Sequence, residues 1–335
     1  MSFKFKLRAP LEPTESMGVE YDLVIVGGGP AGLTAALYST RYFLKAIVIT
    51  ERIGGCLSEI HLVDNYLGFP SISGTELVEK FVTHISTYGV PIVVDRVTEV
   101  TRNGSFWIVS TEMGRRLKTR AVIIAIGSKR KRLGVPGEDR LIGRGVSYCA
   151  ACDGPLFKDK VVAVIGGGNS ALSSSIYLAN ICSKVYLVHR RNSFKAFPVY
   201  VEMVKSNPRI ELFLNSIVKE IIGGERVEAI KVLNVVEGRE SIVKVDGVFV
   251  EIGLEPDKEF FKKIGLEVDD SGHAVVKPDM STNLPGIFAA GDAAGGPYKY
   301  RFEQVIIAAA EGAIAADAAF KYILKTKAST TQSIF

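Results

Sequence analysis

Two cysteines separated by two residues, Cys149 and Cys152 in the run SYCAACDGPLF (147–157), are the part of this sequence best suited to chemistry. Such a pair has three uses: a structural bridge, half of a metal site, or a couple that opens and closes. Only four cysteines occur, at 56, 149, 152 and 182, too few for a disulfide scaffold in a chain of 335 residues. Structural zinc needs four ligands, and no second C-x-x-C or Cys/His pair stands at finger spacing, so no metal is expected. A reversible pair fits best, because a C-x-x-C opening a helix lowers one thiol's pKa and keeps its partner within bridging reach. Asp153 follows at once. Neutral, it could hand a proton to a thiol; ionised, it would raise the thiol's pKa; as a helix cap it would do neither. Cys182 reads as a small buried hydrophobe, and Cys56 as a packing residue in a glycine loop.

A cycling pair needs electrons, and a nucleotide-binding pattern lies on each side of it. YDLVIVGGGPAGLTAALYSTRYFLKAIVIT (21–50) is strand, glycine turn, helix, strand, with Gly27, Gly29 and Gly32 in the G-x-G-x-x-G positions and Pro30 and Ala31 between the last two. The roles are a tight turn, close backbone approach to a pyrophosphate, and close helix packing. KVVAVIGGGNSALSSSIYLANICSKVYLVHRR (160–191) repeats it with Gly166, Gly168 and Ala171, and with Asn169 and Ser170 in between. One such fingerprint is weak; two in full strand-helix-strand context are strong.

The two patterns differ where the second strand ends. Glu51 lies 24 residues after Gly27 and Arg190 lies 24 residues after Gly166. A carboxylate there accepts hydrogen bonds from ribose hydroxyls, whereas an arginine offers donors to a 2′-phosphate. The first unit therefore suits FAD and the second NADPH, with His189, Arg190, Arg191 and Lys195 around the extra phosphate. The plain alternative for HRR is a solvated strand end.

A third glycine motif, LPGIFAAGDAAGG (284–296), ends an apolar run in Gly291 and Asp292, whose carboxylate would meet a ribityl or ribose hydroxyl. Its place in the chain implies a return to the first unit. The expected fold is therefore α/β, two Rossmann-like dinucleotide-binding domains with the second inserted into the first. Boundaries follow from the polar, Gly/Pro-containing crossings at 126–139 and 252–260: an N-terminal arm at 1–20, an FAD domain from 21–130 and 258–335, and an NADPH domain carrying the cysteines at 131–257. Two crossings make a double hinge. The basic run 129–132 reads as a solvated linker surface, with contact to NADPH or an acidic partner as the alternative.

Composition bounds the partners. The 41 basic residues are spread along a chain of net charge +5, so nucleic acid is not expected. No uninterrupted apolar run reaches 18 residues, and QVIIAAAEGAIAADAAFKYIL (304–324), broken by Glu311 and Asp317, reads as a buried helix and not a membrane span. The first twenty residues lack the apolar run of a secretion signal, which points to the cytoplasm.

Taken together, GGGPAG, GGCL (54–57), VDNYLGFP (63–70), VPGE (135–138), CAACDG (149–154), GGGNSA, HRRNSFKA and FAAGDAAGG make this sequence resemble the low-molecular-weight thioredoxin reductases over nearly all of 20–325. The resemblance implies a homodimer with one FAD per chain, in which NADPH reduces the flavin, the flavin reduces the Cys pair, and the dithiol reduces thioredoxin or a thioredoxin-like protein. It implies that Cys152 faces the flavin, that Cys149 attacks the partner's disulfide and that Asp153 manages the thiol proton. It also implies that Gly55, Asn65, Gly127 and Gln304 line the flavin and that the double hinge rotates the NADPH domain between two working positions. No histidine follows His273, so no C-terminal His competes with Asp153 for the proton.

Departures from that pattern are Cys56 where Gln is usual, Thr50 where the ribose acid often stands, Ser173 and Ser174 where two Glu are common, and Lys195 where Arg is common. The last two weaken the expected NADPH contacts and leave NADH open. The nearer rival is a related NAD(P)H-dependent flavoprotein that reduces ferredoxin, flavodoxin, oxygen or a peroxidase partner, for which the central Cys pair would be superfluous. A zinc-binding protein is the alternative outside enzymes.

Overall fold

Runs such as DLVIV, AIVIT and RAVII are apolar without alternation, the pattern of parallel strands covered on both faces. In the computed structural model, which describes residues 20–60, 62–297 and 302–332, they form the sheet of the first of two units. Unit 1 is Met1–Ser58, Leu62–Lys129 and Pro256–Phe335; unit 2 is Glu59–His61 and Arg130–Glu255. The N-terminal arm read from the sequence falls outside the described residues, Glu20 excepted.

In unit 1, Ile92–Val94, Ala46–Thr50, Glu20–Val26 and Arg116–Ile124 lie side by side and parallel. Arg116–Ile124 is shared lengthwise: its first half pairs antiparallel with Phe106–Thr111, which pairs with Val97–Asn103, while Val122–Ile124 pairs parallel with Ile287–Ala289. One face carries helices Pro30–Arg41, Gly74–Ser86 and Val305–Gln332, whose side chains bury Leu23, Ile25, Val48 and Ile123. The opposite face buries Val24, Ile47, Ile49 and Val122 against Phe261, Ile264 and the Val97–Thr111 hairpin. Helix Gly74–Ser86 starts at a capping box, the Ser73 side chain and Glu76 capping each other's backbone N–H.

Helix Val305–Gln332 is the apolar C-terminal segment, and among the described residues no helix is long and apolar enough to cross a membrane. It packs on Pro30–Arg41 at contact distance because Gly312 faces Ala31: a Cβ at Gly312 would sit 2.1 Å from the Ala31 carbonyl oxygen.

Unit 2 is a parallel sheet in the order Ile210–Phe213, Lys184–Val188, Val161–Gly166, Gly247–Glu251, Val146–Ser147, with a separate antiparallel sheet of Ser216–Ile222, Ala229–Asn234 and Glu240–Lys244. Helix Asn169–Ala179 covers one face, burying Leu172, Leu178 and Phe249 with Val162 and Val164.

Candidate functional site

The first glycine turn divides its three glycines by purpose. Gly27 has φ +114°, and a Cβ there would lie 2.1 Å from the Ala125 carbonyl oxygen. A Cβ at Gly32 would lie 1.9 Å from the Gly27 carbonyl oxygen, so both positions are dictated by packing inside the protein. Gly29 is different, since its nearest neighbour would be Gly54 O at 3.9 Å. Nothing internal demands glycine there. Gly29 is the N-cap of Pro30–Arg41 and gives no side-chain hydrogen bond, so the helix's first N–H groups are uncapped by side chains. That is the cradle a pyrophosphate takes at a helix N-terminus.

The surrounding loops converge on it. Gly54 N donates to Gly28 O at 2.7 Å, and a Cβ at Gly55 (φ +54°) would meet Gly29 Cα at 3.4 Å. Thr50, buried, accepts from Gly28 N at 2.9 Å and so shapes the turn, while the next residue, Glu51, is exposed and 3.7 Å from Arg96 Nε. Gly127 has φ +66° with open space on its Cβ side. Asn65 Nδ2 donates to Gln304 Oε1 at 2.8 Å, joining two residues that the sequence separates by 239 positions. Cys56 is half-buried with Sγ 3.6 Å from Ser128 O.

Gly291 and Asp292 begin a tight turn directly after Ile287–Ala289, with Gly291 at φ +70° against Ala31. Gly291 N donates to Glu311 Oε2 at 2.8 Å, and Ser128 Oγ donates to the Asp292 carbonyl at 2.8 Å. Burial pushes the Glu311 carboxyl up to about 7, with the Asp292 charge adding to the shift and the Gly291 N–H opposing it. Glu311 was invisible as a site residue in the sequence; the only signal was a carboxylate inside an apolar helix.

The second glycine turn follows the same logic on unit 2. Gly166 is dictated internally, since a Cβ there would lie 2.2 Å from the Glu251 carbonyl oxygen, and Ala171 is buried beneath it. Gly168 is the uncapped N-cap of Asn169–Ala179, with only Lys195 O at 3.8 Å near its Cβ position. Lys195 N donates to Gly167 O at 2.7 Å, which brings the basic loop to the turn. Asn169 Oδ1 accepts from Phe197 N at 2.7 Å and pins the far side of that loop, and Ser170 is exposed beside it. Arg190, Arg191 and Lys195 are exposed, and among the described residues none of them is ion-paired. His189 is placed differently. It is buried beneath Gly167, its Nε2 3.0 Å from Ser193 O, and burial pushes its pKa down with the neighbouring arginines adding to the effect. It supports the loop as a neutral ring.

Cys149 and Cys152 form a disulfide with Cα atoms 5.3 Å apart, at the start of the short helix Ala150–Asp153. Cys149 is the N-cap, and Cys152 N donates to its Sγ at 3.1 Å. Cys149 is 8% exposed with Sγ 3.7 Å from Glu59 O, while Cys152 is exposed. Asp153 Oδ2 accepts from Ser147 Oγ at 2.7 Å, and the same hydroxyl accepts from Cys149 N at 3.0 Å. Ser147 therefore ties the acid to the pair. Just upstream, buried Glu138 accepts from Leu133 N, Gly134 N and the Tyr148 hydroxyl, joining the entering chain to the residue before Cys149.

Three of the four side chains of the basic run have acidic partners within their own unit. Lys129 pairs with Asp257, Arg132 with Asp139, and Arg130 bridges Glu59 and Glu251, the latter at 3.2 Å. Ser174 Oγ donates to Glu251 at 3.1 Å. Burial pushes the Glu251 carboxyl up, with Arg130 opposing. These pairings join chain segments up to 128 residues apart, while Lys129 and Arg132 stay more than half exposed, as side chains on a solvated surface do.

Residues 21–312 match the family model of the pyridine nucleotide-disulphide oxidoreductases. The chain is 40% identical over 311 residues to a thioredoxin reductase of Listeria monocytogenes, covering 92% of this chain and 96% of that one. It is 37% identical over 306 residues to an alkyl hydroperoxide reductase component of Staphylococcus epidermidis, covering 91% of this chain and 59% of that one. The structure superposes on that of Lactococcus lactis thioredoxin reductase in its FR conformation with a TM-score of 0.87 at 34% identity, covering 91% of this chain and 99% of that one.

Proposed function

This chain belongs to the pyridine nucleotide-disulphide oxidoreductase family, and from that membership we propose that it is a thioredoxin-disulfide reductase, drawing on NADPH through FAD. The observation that carries this is the Cys149–Cys152 disulfide, seated with Asp153 on the unit that also bears the basic nucleotide turn. FAD, when bound, accepts a hydride from NADPH and passes two electrons to sulfur, chemistry that no side chain supplies.

The residues fit that group. The Gly29 helix terminus takes the pyrophosphate, Glu51 the adenosine ribose and Asp292 a ribityl hydroxyl, while Gly55, Asn65, Gly127 and Gln304 line the remainder. On unit 2, Gly168 takes the pyrophosphate of NADPH, and Arg190, Arg191 and Lys195 take the 2′-phosphate. Two electrons and one proton, the proton drawn from water through Asp153, break the Cys149–Cys152 bond and leave a thiol and a thiolate. The Cys152 N–H steadies a charge on Cys149 Sγ, and Asp153, held by Ser147, keeps or releases the proton. Cys149 then attacks one sulfur of the partner's disulfide and expels the other. Cys152 resolves the mixed disulfide, re-forming the original bond and releasing a dithiol. Cys149 is buried, so its attack on a partner needs it to be uncovered first.

The same reading takes thioredoxin or a thioredoxin-like protein as the partner, a homodimer as the working form and the cytoplasm, where thiols are kept reduced, as the compartment. Delivery to a peroxidase partner is the second reading, favoured by the 37% identity to the alkyl hydroperoxide reductase component. The test is reduction of thioredoxin by NADPH: wild type turns over and Cys152→Ser is inactive while still oxidising NADPH. Full thioredoxin turnover by Cys152→Ser would remove the thiol relay.

A further inference from the structure

Glu311 is a carboxyl in the wrong surroundings for an ionised one. It lies in the run AAAEGAIAA of helix Val305–Gln332, 8% exposed, and its Oε2 accepts the Gly291 N–H at 2.8 Å. The cleft it borders is lined by Gly291, Asp292, Phe302, Glu303, Ile307 and Ala308 among others, and no described lining residue is basic. Charge reaches Glu311 from each packed element as follows. The turn after Ile287–Ala289 brings Asp292, the segment before the long helix brings Glu303, and helix Pro30–Arg41 brings only the uncharged Ala31. The backbone N–H favours the ionised form, whereas burial and the Asp292 charge favour the acid, and the acid form wins up to about pH 7.

The same bond has a mechanical role. The turn that carries Asp292 is held at two points: Glu311 grips Gly291 N, and Ser128 grips the Asp292 carbonyl. The side chain of Asp292 is therefore aimed by Glu311 through the left-handed Gly291.

We propose that Glu311 is a positioning residue of the flavin site whose proton couples cofactor binding to pH: it sets the Asp292 turn, and closure of the cofactor over the cleft binds a proton there. This rests on the assignment of FAD to unit 1. A cofactor covering the cleft removes water from Glu311 and adds the negative field of a pyrophosphate, both of which disfavour its ionised form. Above neutrality the carboxylate must then take up a proton from solvent as FAD binds. By linkage the affinity falls as pH rises, because the bound state holds one proton more than the free state. Oxidised FAD has no group of its own that titrates near neutrality, so the slope belongs to the protein.

The test titrates FAD into full-length apoprotein over a pH series, followed by flavin fluorescence. In wild type the Kd rises above pH 7 by up to about tenfold per unit. In Glu311→Gln, which keeps an acceptor for Gly291 N–H and cannot ionise, the Kd is flat across the same range. Calorimetry in two buffers of different ionisation enthalpy supplies a measurement on wild type that needs no variant: binding above neutrality takes up close to one proton. Apoprotein melting gives an independent sign. A folded carboxyl raised above its ordinary value stabilises less as pH climbs, so wild type loses melting temperature between about pH 4.5 and 7 relative to Glu311→Gln. Tight FAD binding with no pH slope and no proton uptake in wild type overturns the role of Glu311. A slope shared equally by Glu311→Gln does the same, since a merely structural residue would shift the affinity evenly at every pH. No FAD binding at any pH overturns the flavin site itself, and with it this proposal.

Discussion

Arg190 and Glu51 occupy matching places in the two nucleotide turns, and in the proposed function their difference in sign sorts one dinucleotide from the other. Both are exposed, so each is available to a ligand, and Arg190 is unpaired among the described residues. Losing a charge-assisted hydrogen bond to phosphate costs about 1.5–3 kcal/mol. Arg190→Ala is accordingly expected to raise the KM for NADPH by about ten- to a hundredfold and that for NADH hardly at all, measured by steady-state kinetics with each nucleotide. Equal effects would mean that the phosphate is read elsewhere. Motif spacing made these positions legible because glycine turns and strand ends are local features. His189 was legible only as a basic letter. Its burial under Gly167 depends on the fold of a loop that returns through Lys195, and that made it a neutral support.

At the scale of elements, close packing carries the flavin turn. Gly312 would gain about 1 kcal/mol of helix propensity on becoming alanine. Its Cβ would stand 2.1 Å from Ala31 O, and overpacking of that kind costs about 1–3 kcal/mol. The clash should win: Gly312→Ala is expected to melt lower than wild type by thermal denaturation and to release FAD more readily, because Ala31 also abuts Gly291. Elsewhere in unit 1, Arg115 donates to Asp95 at 2.6 Å with both side chains almost fully buried. Burial alone would raise the Asp95 carboxyl, but hydrogen bonds from Thr111, Arg115 and the Arg96 and Met113 N–H groups hold it below its usual range. A depressed carboxyl gives stability that is present above its unfolded pKa and lost as pH falls through the folded one. Asp95→Ala leaves Arg115 charged and buried, so a loss of about 3–5 kcal/mol is expected in chemical denaturation at neutral pH, shrinking in acid where wild type weakens too. A sequence shows neither effect. Residues 95 and 115, or 31 and 312, are distant letters until the sheet closes.

At the scale of the molecule, the inserted order of segments was readable from the place of the third glycine motif, which alone would pass for an ordinary turn but so late in the chain implied a return to the first unit. What could not be read was how cleanly the cores divide. The two clusters of unit 2 draw every member from residues 130–255, whereas the two of unit 1 need residues from both ends of the chain. An excised 130–255 segment is therefore expected to unfold cooperatively and to bind NADPH, by circular dichroism and nucleotide titration. A fragment of residues 1–129 is expected to stay unfolded. The reverse result would place the cores wrongly.

The lengthwise sharing of strand Arg116–Ile124 has a consequence for biosynthesis. Its last residues leave the ribosome with one edge bare, because their partner Ile287–Ala289 and the covering helix Val305–Gln332 are not yet made. At about 5–20 residues per second, translation leaves that apolar edge waiting on the order of ten to forty seconds, while the inserted unit can complete itself in the interval. During that time the nascent chain exposes an unpaired parallel strand, the kind of surface on which a holding chaperone acts.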